Sequence, residues 1–498
     1  MKLIKKIVST VAAFVMMFTG TLVCDIPQTA TEVSAESYVM PYKGGNTEAY
    51  KTILKGLKNM DEKISVYKYD LSYDEYAEIL EHILMNYPEI FYVRAETEYT
   101  YYEKTGNLVV VYPTYFYDED TVKTRRKQLD AAVNDIIKDI DSSWSDVQKA
   151  LYVHDRIALG CVYSEDNDIR SAYEALVVGD GVCVAYAMAY KLVLDKLGIG
   201  CVLVLSDTMN HCWNMVEIDG SWYHVDITWD DGYPDLQGQV YHDFFLCSDK
   251  DIKSGKEPHK DWYGGKKADS EKYDNGFWRS SGSQIIPENS RYSYYIDSEK
   301  NVLYRYDWIK GSKGKVTAVP EEWKIWDYNF SRLVYADGIY YYSTANSVYS
   351  YDPQAGKKSM IKKYNLSGNS AIYGLYIDDG HIMAQIGIGP HKAPSKTRTV
   401  GKAGAASKLI APESFKGSTK GTSITLTWDK VSGADGYTVY YYNSSKGTVT
   451  EAGSVKTNKF TDSGLKKGKY QYKVRAYVLV NGKKVYGDLS SVVSKSIK

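Results

Sequence analysis

An Asp-Gly pair at 219–220 separates two alternating runs, residues 211–218 and 221–228, and that pattern demands an antiparallel hairpin. The run before it, CVLVL at 201–205, is continuously apolar and reads as a buried strand. Upstream, Cys183 to Leu197 carries helical spacing, with Gly198 as its stop and Gly179-Asp180-Gly181 as the turn that leads into it. The middle of the chain is therefore expected to be a helix followed by a small antiparallel sheet.

The hairpin fixes which side chains share a face. A two-residue turn sets Ile218 opposite Ser221, Trp213 opposite Asp226 and His211 opposite Thr228. His211 and Asp226 become diagonal neighbours, about 7–8 Å apart at the backbone, within reach of an imidazole–carboxylate hydrogen bond. A four-residue loop keeps that pairing; an odd-length loop would turn Asp226 to the opposite face. Cys183 begins the expected helix, where unpaired N–H groups and the helix dipole favour an anion. A thiolate there, an imidazole to exchange its proton and a carboxylate to orient the imidazole form a nucleophile–base–orienter set. Taken singly, each residue has a plainer reading: a core thiol, a strand histidine, a surface carboxylate. His224 shares the strand face of Asp226 and reads as a decoy or a supporting partner, and Cys201 and Cys212 read as core thiols.

Three strings carry a family resemblance: Gly-x-Cys-x-x-Tyr-Ala at 181–187, His-x-Trp-Asn at 211–214, and Trp-Tyr-x-x-Asp-x-Thr-Trp-Asp at 222–230. In this order and spacing the chain resembles the bacterial transglutaminase-like superfamily. The resemblance is strong over about 60 residues and weaker from about 145 to 247. It implies a papain-like fold with Cys183 as nucleophile, His211 as base and Asp226 as orienter, and no metal or cofactor. Tyr173, Tyr186, Trp213 and Asn214 fall in the motif region, either supporting the site or packing the core around it. The Cys183 N–H is a candidate oxyanion donor.

At 498 residues the chain has room for three or four domains. The fold class expected is multidomain α+β. An N-terminal α/β subdomain spans 36–120, with helices at 48–60 and 73–87 and a hairpin around Thr105-Gly106-Asn107. The transglutaminase-like domain spans 121–265, with further helices at 118–141 and 144–159 and a short one near 171–175. Residues 266–388 hold short Tyr-rich strands, and the 48 Tyr of the chain suit half-buried sheet surfaces. They resemble propeller blades too few to close a ring. Residues 389–408 read as a flexible basic linker. Residues 409–498 read as a β-sandwich, and Trp428, Tyr437 and Leu465 give it a resemblance to a fibronectin type III domain.

Residues 1–35 read as a secretory signal outside the fold: Lys2, Lys5 and Lys6, then an uncharged apolar run to Val23, then Val33-Ser34-Ala35. An uncleaved membrane anchor is the alternative. Five cysteines remain beyond Cys24, so at least one thiol stays unpaired if every bridge is internal; with no C-x-x-C, a zinc cage is not expected. From His391 onward there are 20 basic and 6 acidic residues, a net of +14, against 38 and 54 over residues 36–390, a net of −16. On a secreted chain that basic module suits an anionic cell-wall polymer or extracellular matrix rather than nucleic acid, or is simply a soluble lysine-rich surface. No membrane association is expected after signal cleavage. By resemblance, the architecture suggests a secreted or surface-associated protein of a Gram-positive bacterium. Two functions follow: thiol acyl transfer or hydrolysis on protein or peptide amides, and a non-enzymatic envelope-binding protein that uses the fold as a scaffold.

Overall fold

The computed structural model describes residues 3–9 and 38–498, apart from 165–169, 255–257, 321–322, 324–327, 404–408, 432–433 and 481–482. The chain is a multidomain α+β protein; among the described residues the helices lie within the first 280 positions, with antiparallel sheets beyond. Most of the leader, including Val33-Ser34-Ala35, lies outside the described residues. Leu3–Ser9 departs from the expectation that the leader stands apart from the fold: it pairs antiparallel with Val93–Tyr102. That strand would otherwise present an open row of N–H and C=O groups, a ready template for an alternating segment. Among the described residues no helix is long and apolar enough to cross a membrane.

In the N-terminal region, Thr47–Lys58 and Tyr73–Asn86 form the two expected helices. The second starts with a reciprocal cap: Ser72 accepts from the Glu75 N–H and Glu75 accepts from the Ser72 N–H. Ile53, Leu57, Ile79 and Ile83 bury against the sheet containing Val93–Tyr102 and Leu108–Tyr115.

The central region is built on the helix Cys183–Lys196, buried from Val184 to Asp195. A helix apolar on all sides has to sit inside a core. It packs on Asp146–Gly160 and on a four-stranded antiparallel sheet ordered Phe245–Cys247, Ser221–Val225, His211–Ile218, Cys201–Ser206. Within the helix, the Lys191 ammonium has no exposure and donates to Tyr38 O at 2.8 Å, Cys201 O at 2.9 Å and the Asp195 carboxylate. Those bonds tie helix, sheet and N-terminal segment together, and they satisfy a charge that would be costly to bury alone.

The hairpin has the expected register, with Ile218 opposite Ser221. Asp219 and Gly220 adopt φ +53° and +73°, the two left-handed residues such a turn needs. The second strand ends earlier than the alternation suggests, at Val225 rather than 228. Asp226 instead caps a helical turn, Ile227–Asp230, by accepting from the Trp229 N–H. Thr228 is therefore in that turn and not a strand partner of His211.

Residues expected to open the β-repeat region at 266 still belong to the central fold: Trp278 and Ile285 bury in its core, and Asp274 accepts from Ser248. Three small antiparallel sheets follow, spanning Ile286–Ala318, Leu333–Lys363 and Ala371–Lys402. The last corrects the linker reading. Lys396–Lys402 is a strand on His381–Gly387, and its exposed lysines and arginine suit a sheet edge.

The third sheet grips the central region at Gly238. Leu375 donates to Gln237 O at 2.8 Å, and Gln385 Oε1 accepts from the Gln237 N–H at 2.9 Å. A Cβ on Gly238 would meet Leu375 O at 2.2 Å, and its φ is +85°. Gly238→Ala is therefore expected to cost about 2–3 kcal/mol, read as a lower denaturant midpoint, because strained backbone and steric overlap act together.

The C-terminal region is a two-sheet sandwich: Lys416–Lys420, Ser423–Thr427 and Lys459–Asp462 against a five-stranded sheet built around Gly436–Asn443 and Gly468–Val480. Trp428, just past its strand, packs edge-on to Tyr437 at 5.2 Å between the layers, and Tyr437 accepts from the Val431 N–H.

Candidate active site

Cys183 is the first residue of the central helix, after a Val182 cap that offers no side-chain oxygen. The first turn thus has no side-chain acceptor at its cap, and its Ala185 N–H turns back to Val182 O, at 2.8 Å. It is half-buried, whereas Cys161, Cys201, Cys212 and Cys247 are buried and all five are free. Burial pushes the Cys161 thiol up to about 12 and also raises Cys201, Cys212 and Cys247, which keeps them protonated at neutral pH.

His211 opens its strand and reaches both partners. Its Nε2 donates to Asp226 Oδ2 at 2.6 Å, and the Cys183 thiol lies close enough to be among the groups that raise the imidazole. With Nε2 held by the carboxylate, Nδ1 is the ring nitrogen left for sulfur. Burial works against a charged imidazole here, but the Asp226 carboxylate, its hydrogen bond and the thiol outweigh it and raise His211 to about 10. That value favours the cationic ring at neutral pH. Burial also opposes the Asp226 charge, and His211 and His259 overcome it, holding that carboxyl well below its usual range.

Two indoles fix the ring plane. Trp213 stacks on His211 at 5.7 Å and Trp229 at 5.2 Å, with interplanar angles of 21° and 23°. Indole faces attract cations, so the sandwich suits an imidazolium. His224 is the prop for Trp213: its Nδ1 accepts the indole N–H at 3.0 Å, and its Nε2 donates to Asp249 at 2.9 Å. Burial lowers His224, in keeping with a neutral ring that accepts at one nitrogen and donates at the other.

Of the other four candidates, only Trp213 touches the imidazole. Asn214 Nδ2 donates to Ala187 O at 3.0 Å, fastening strand to helix. Tyr186 donates to Asp231 Oδ2 at 2.6 Å. Tyr173 stacks on Phe91 and donates to Gln128, joining the N-terminal and central regions. These three hold the scaffold.

Sequence reasoning passed over two neighbours of His211 and Asp226. Trp229 lies in the Trp-Asp end of the third motif, which pointed to it without giving it a role. His259 donates Nε2–H to Asp226 Oδ2 at 2.8 Å, the same oxygen that takes His211. It lies 33 residues beyond Asp226 in a segment without regular structure, where no periodicity announces it.

A buried polar network braces the loop that carries Asp226. His154 donates to Asp155 at 3.0 Å and Asp230 at 3.1 Å, and His242 donates to Asp155 at 2.9 Å. Asp230 also accepts from the Phe244 N–H, and Asp155 from the Ile285 N–H at 2.7 Å. Among the described residues, His211–Asp226–His259 and His154–Asp155–His242 have ligand-type atoms within 4.8 Å of one another. In both sets the short contacts are imidazole N–H to carboxylate hydrogen bonds, sufficient to explain the clustering without an ion.

Residues 134–227 match the transglutaminase-like superfamily. No curated protein matches the chain. Among solved structures, it is similar to a Fn3-like protein from Clostridium thermocellum, with 28% identity over 18% of this chain and 92% of that one, at a TM-score of 0.16. It is also similar to FN3tt, with 18% identity over 18% of this chain and 92% of that one, at the same TM-score.

Proposed function

We propose that this protein is a thiol enzyme that transfers or hydrolyses acyl groups of protein or peptide amides through an acyl–Cys183 intermediate. The observation that carries this reading is the grouping of a half-buried thiol at a helix N-terminus beside His211, whose Nε2 donates to Asp226 at 2.6 Å. In the first step Cys183 attacks the amide carbon as a thiolate, its proton held on His211, and the carbonyl π pair moves to the oxygen, which faces the Cys183 N–H. Collapse breaks the C–N bond, and His211 gives its proton to the departing amine. In the second step water or an amine attacks the thioester, His211 takes the proton, and the thiolate leaves. Asp226 keeps the imidazole oriented and its cation stabilised throughout.

Hydrolysis is the favoured outcome, since water is always at hand and no feature among the described residues marks a dedicated channel for an amine. The test is to incubate the protein with a glutamine-bearing protein and a labelled primary amine. Ammonia release without label incorporation is the expected result. Incorporation into the protein without hydrolysis would replace the hydrolase with a cross-linker.

The leader pattern and the +14 charge of residues 391–498 support a secreted or surface-bound enzyme whose C-terminal module holds an anionic wall polymer or matrix. Chains with and without residues 391–498 are expected to differ in retention on purified Gram-positive walls; equal retention would remove the targeting role.

A further inference from the structure

His259 occupies a position that packing alone does not explain. It is 1% exposed, and its Nε2 lies 2.8 Å from the triad carboxylate. Asp226 Oδ2 thus accepts from two imidazoles, His211 and His259, while Oδ1 takes the Trp229 N–H. An aromatic cage surrounds the ring: Trp229 at 4.1 Å, Trp213 edge-on at 4.7 Å and Phe244 at 5.2 Å. The backbone is fastened as well. The His259 N–H donates to Ile252 O at 3.0 Å, Ser206 donates to Lys260 O, and Tyr263 exchanges two hydrogen bonds with Leu205. Those bonds lay the segment along the open edge of the triad's own sheet.

We propose that His259 is a positioning residue for the thiol chemistry, one that acts through Asp226 by supplying a fixed second donor to Oδ2. This rests on the enzyme reading given above. A carboxylate with a single imidazole partner can rotate about its Cα–Cβ and Cβ–Cγ bonds and drag that imidazole from line. With donors on both sides of Oδ2 and one on Oδ1, its plane is set by three bonds, and the His211 ring inherits that orientation. The second donor also stabilises the ionised carboxylate, which is 1% exposed. A buried ring that made only apolar contacts would be filled as well by phenylalanine; the N–H directed at Oδ2 is what phenylalanine lacks. Other titratable groups near His259 are His211, His224, Asp249, Lys253, Lys260 and Asp261, and Asp249 is already engaged by His224.

The experiment measures the rate of Cys183 alkylation by iodoacetamide against pH in full-length protein. It compares the parent with His211→Ala, His259→Gln, and the donor-free His259→Phe and His259→Met. Melting temperature is recorded for each. Glutamine places an amide N–H near the position of Nε2. The expected result is a rise of about one pH unit in the labelling midpoint for Phe and Met, hence about tenfold slower labelling on the acid side. Gln should restore the parent profile to within about threefold. Folded Phe or Met variants with the parent midpoint would overturn the proposal and leave His259 as packing, as would a Gln variant no better than Phe. If the parent itself labels as an ordinary thiol and His211→Ala changes nothing, the enzyme reading fails, and this proposal with it.

Discussion

Asp226→Asn is expected to slow ammonia release from a glutamine-bearing protein by about four orders of magnitude while the chain stays folded. The replacement has the same shape, and its remaining oxygen can still take the Trp229 N–H. The harm is electrical and tautomeric. An amide nitrogen in place of Oδ2 would point N–H groups at the Nε2 atoms of both His211 and His259. His211 would then keep its proton on Nδ1, facing sulfur, and could not accept one there. Burial, the largest influence on His211, would act without the carboxylate that now overcomes it, so the ring would fall from about 10 toward the neutral form. Circular dichroism matching the parent, with activity lost, is the expected pair of results. Activity within tenfold of the parent would mean that Asp226 does not orient the base.

Asp155→Ala carries the largest expected loss of stability, about 3–5 kcal/mol, because it removes one carboxylate from two buried imidazoles and one buried N–H. His154 has no exposure; burial opposes its charge, and the hydrogen bonds it donates to the Asp155 and Asp230 carboxylates outweigh that, raising it to about 9. A folded value above the unfolded ~6.5 means that this contribution is fully present below about pH 6.5 and is lost as pH rises through about 9. The parent should therefore lose of order 3 kcal/mol across that window, and Asp155→Ala should show a flatter profile from a lower start. Denaturant unfolding at pH 6, 7.5 and 9 measures both. A parent profile without slope, or a variant within about 1 kcal/mol of the parent, would show that the network carries little. The loss would also reach the site, since the same network holds Asp230, four residues after Asp226.

What could be read from the sequence followed local rules. Asp219-Gly220 gave the hairpin, and period two then placed His211 and Asp226 on one face, where the side chains do meet. The early end of the second strand had a visible signal that competed with the alternation: Asp226 is a good helix cap, and the cap prevailed. Lys396–Lys402 was masked by composition, because a charged, protective edge strand resembles a basic linker. His259 and the His154–Asp155–His242 network were beyond reach. Their partners are brought together by tertiary contacts across 33 and 87 residues, and nothing periodic connects such positions.

The most direct measurement is the iodoacetamide labelling rate of Cys183 from pH 5 to 9, followed by peptide mass spectrometry, in the parent and in His211→Ala. An assembled Cys183–His211–Asp226 set predicts fast labelling in the parent well below the ~8.5 of a free thiol, and its loss in the variant. Slow labelling in the parent with an ordinary thiol profile, unchanged by His211→Ala, would contradict the account and leave the fold as a binding scaffold.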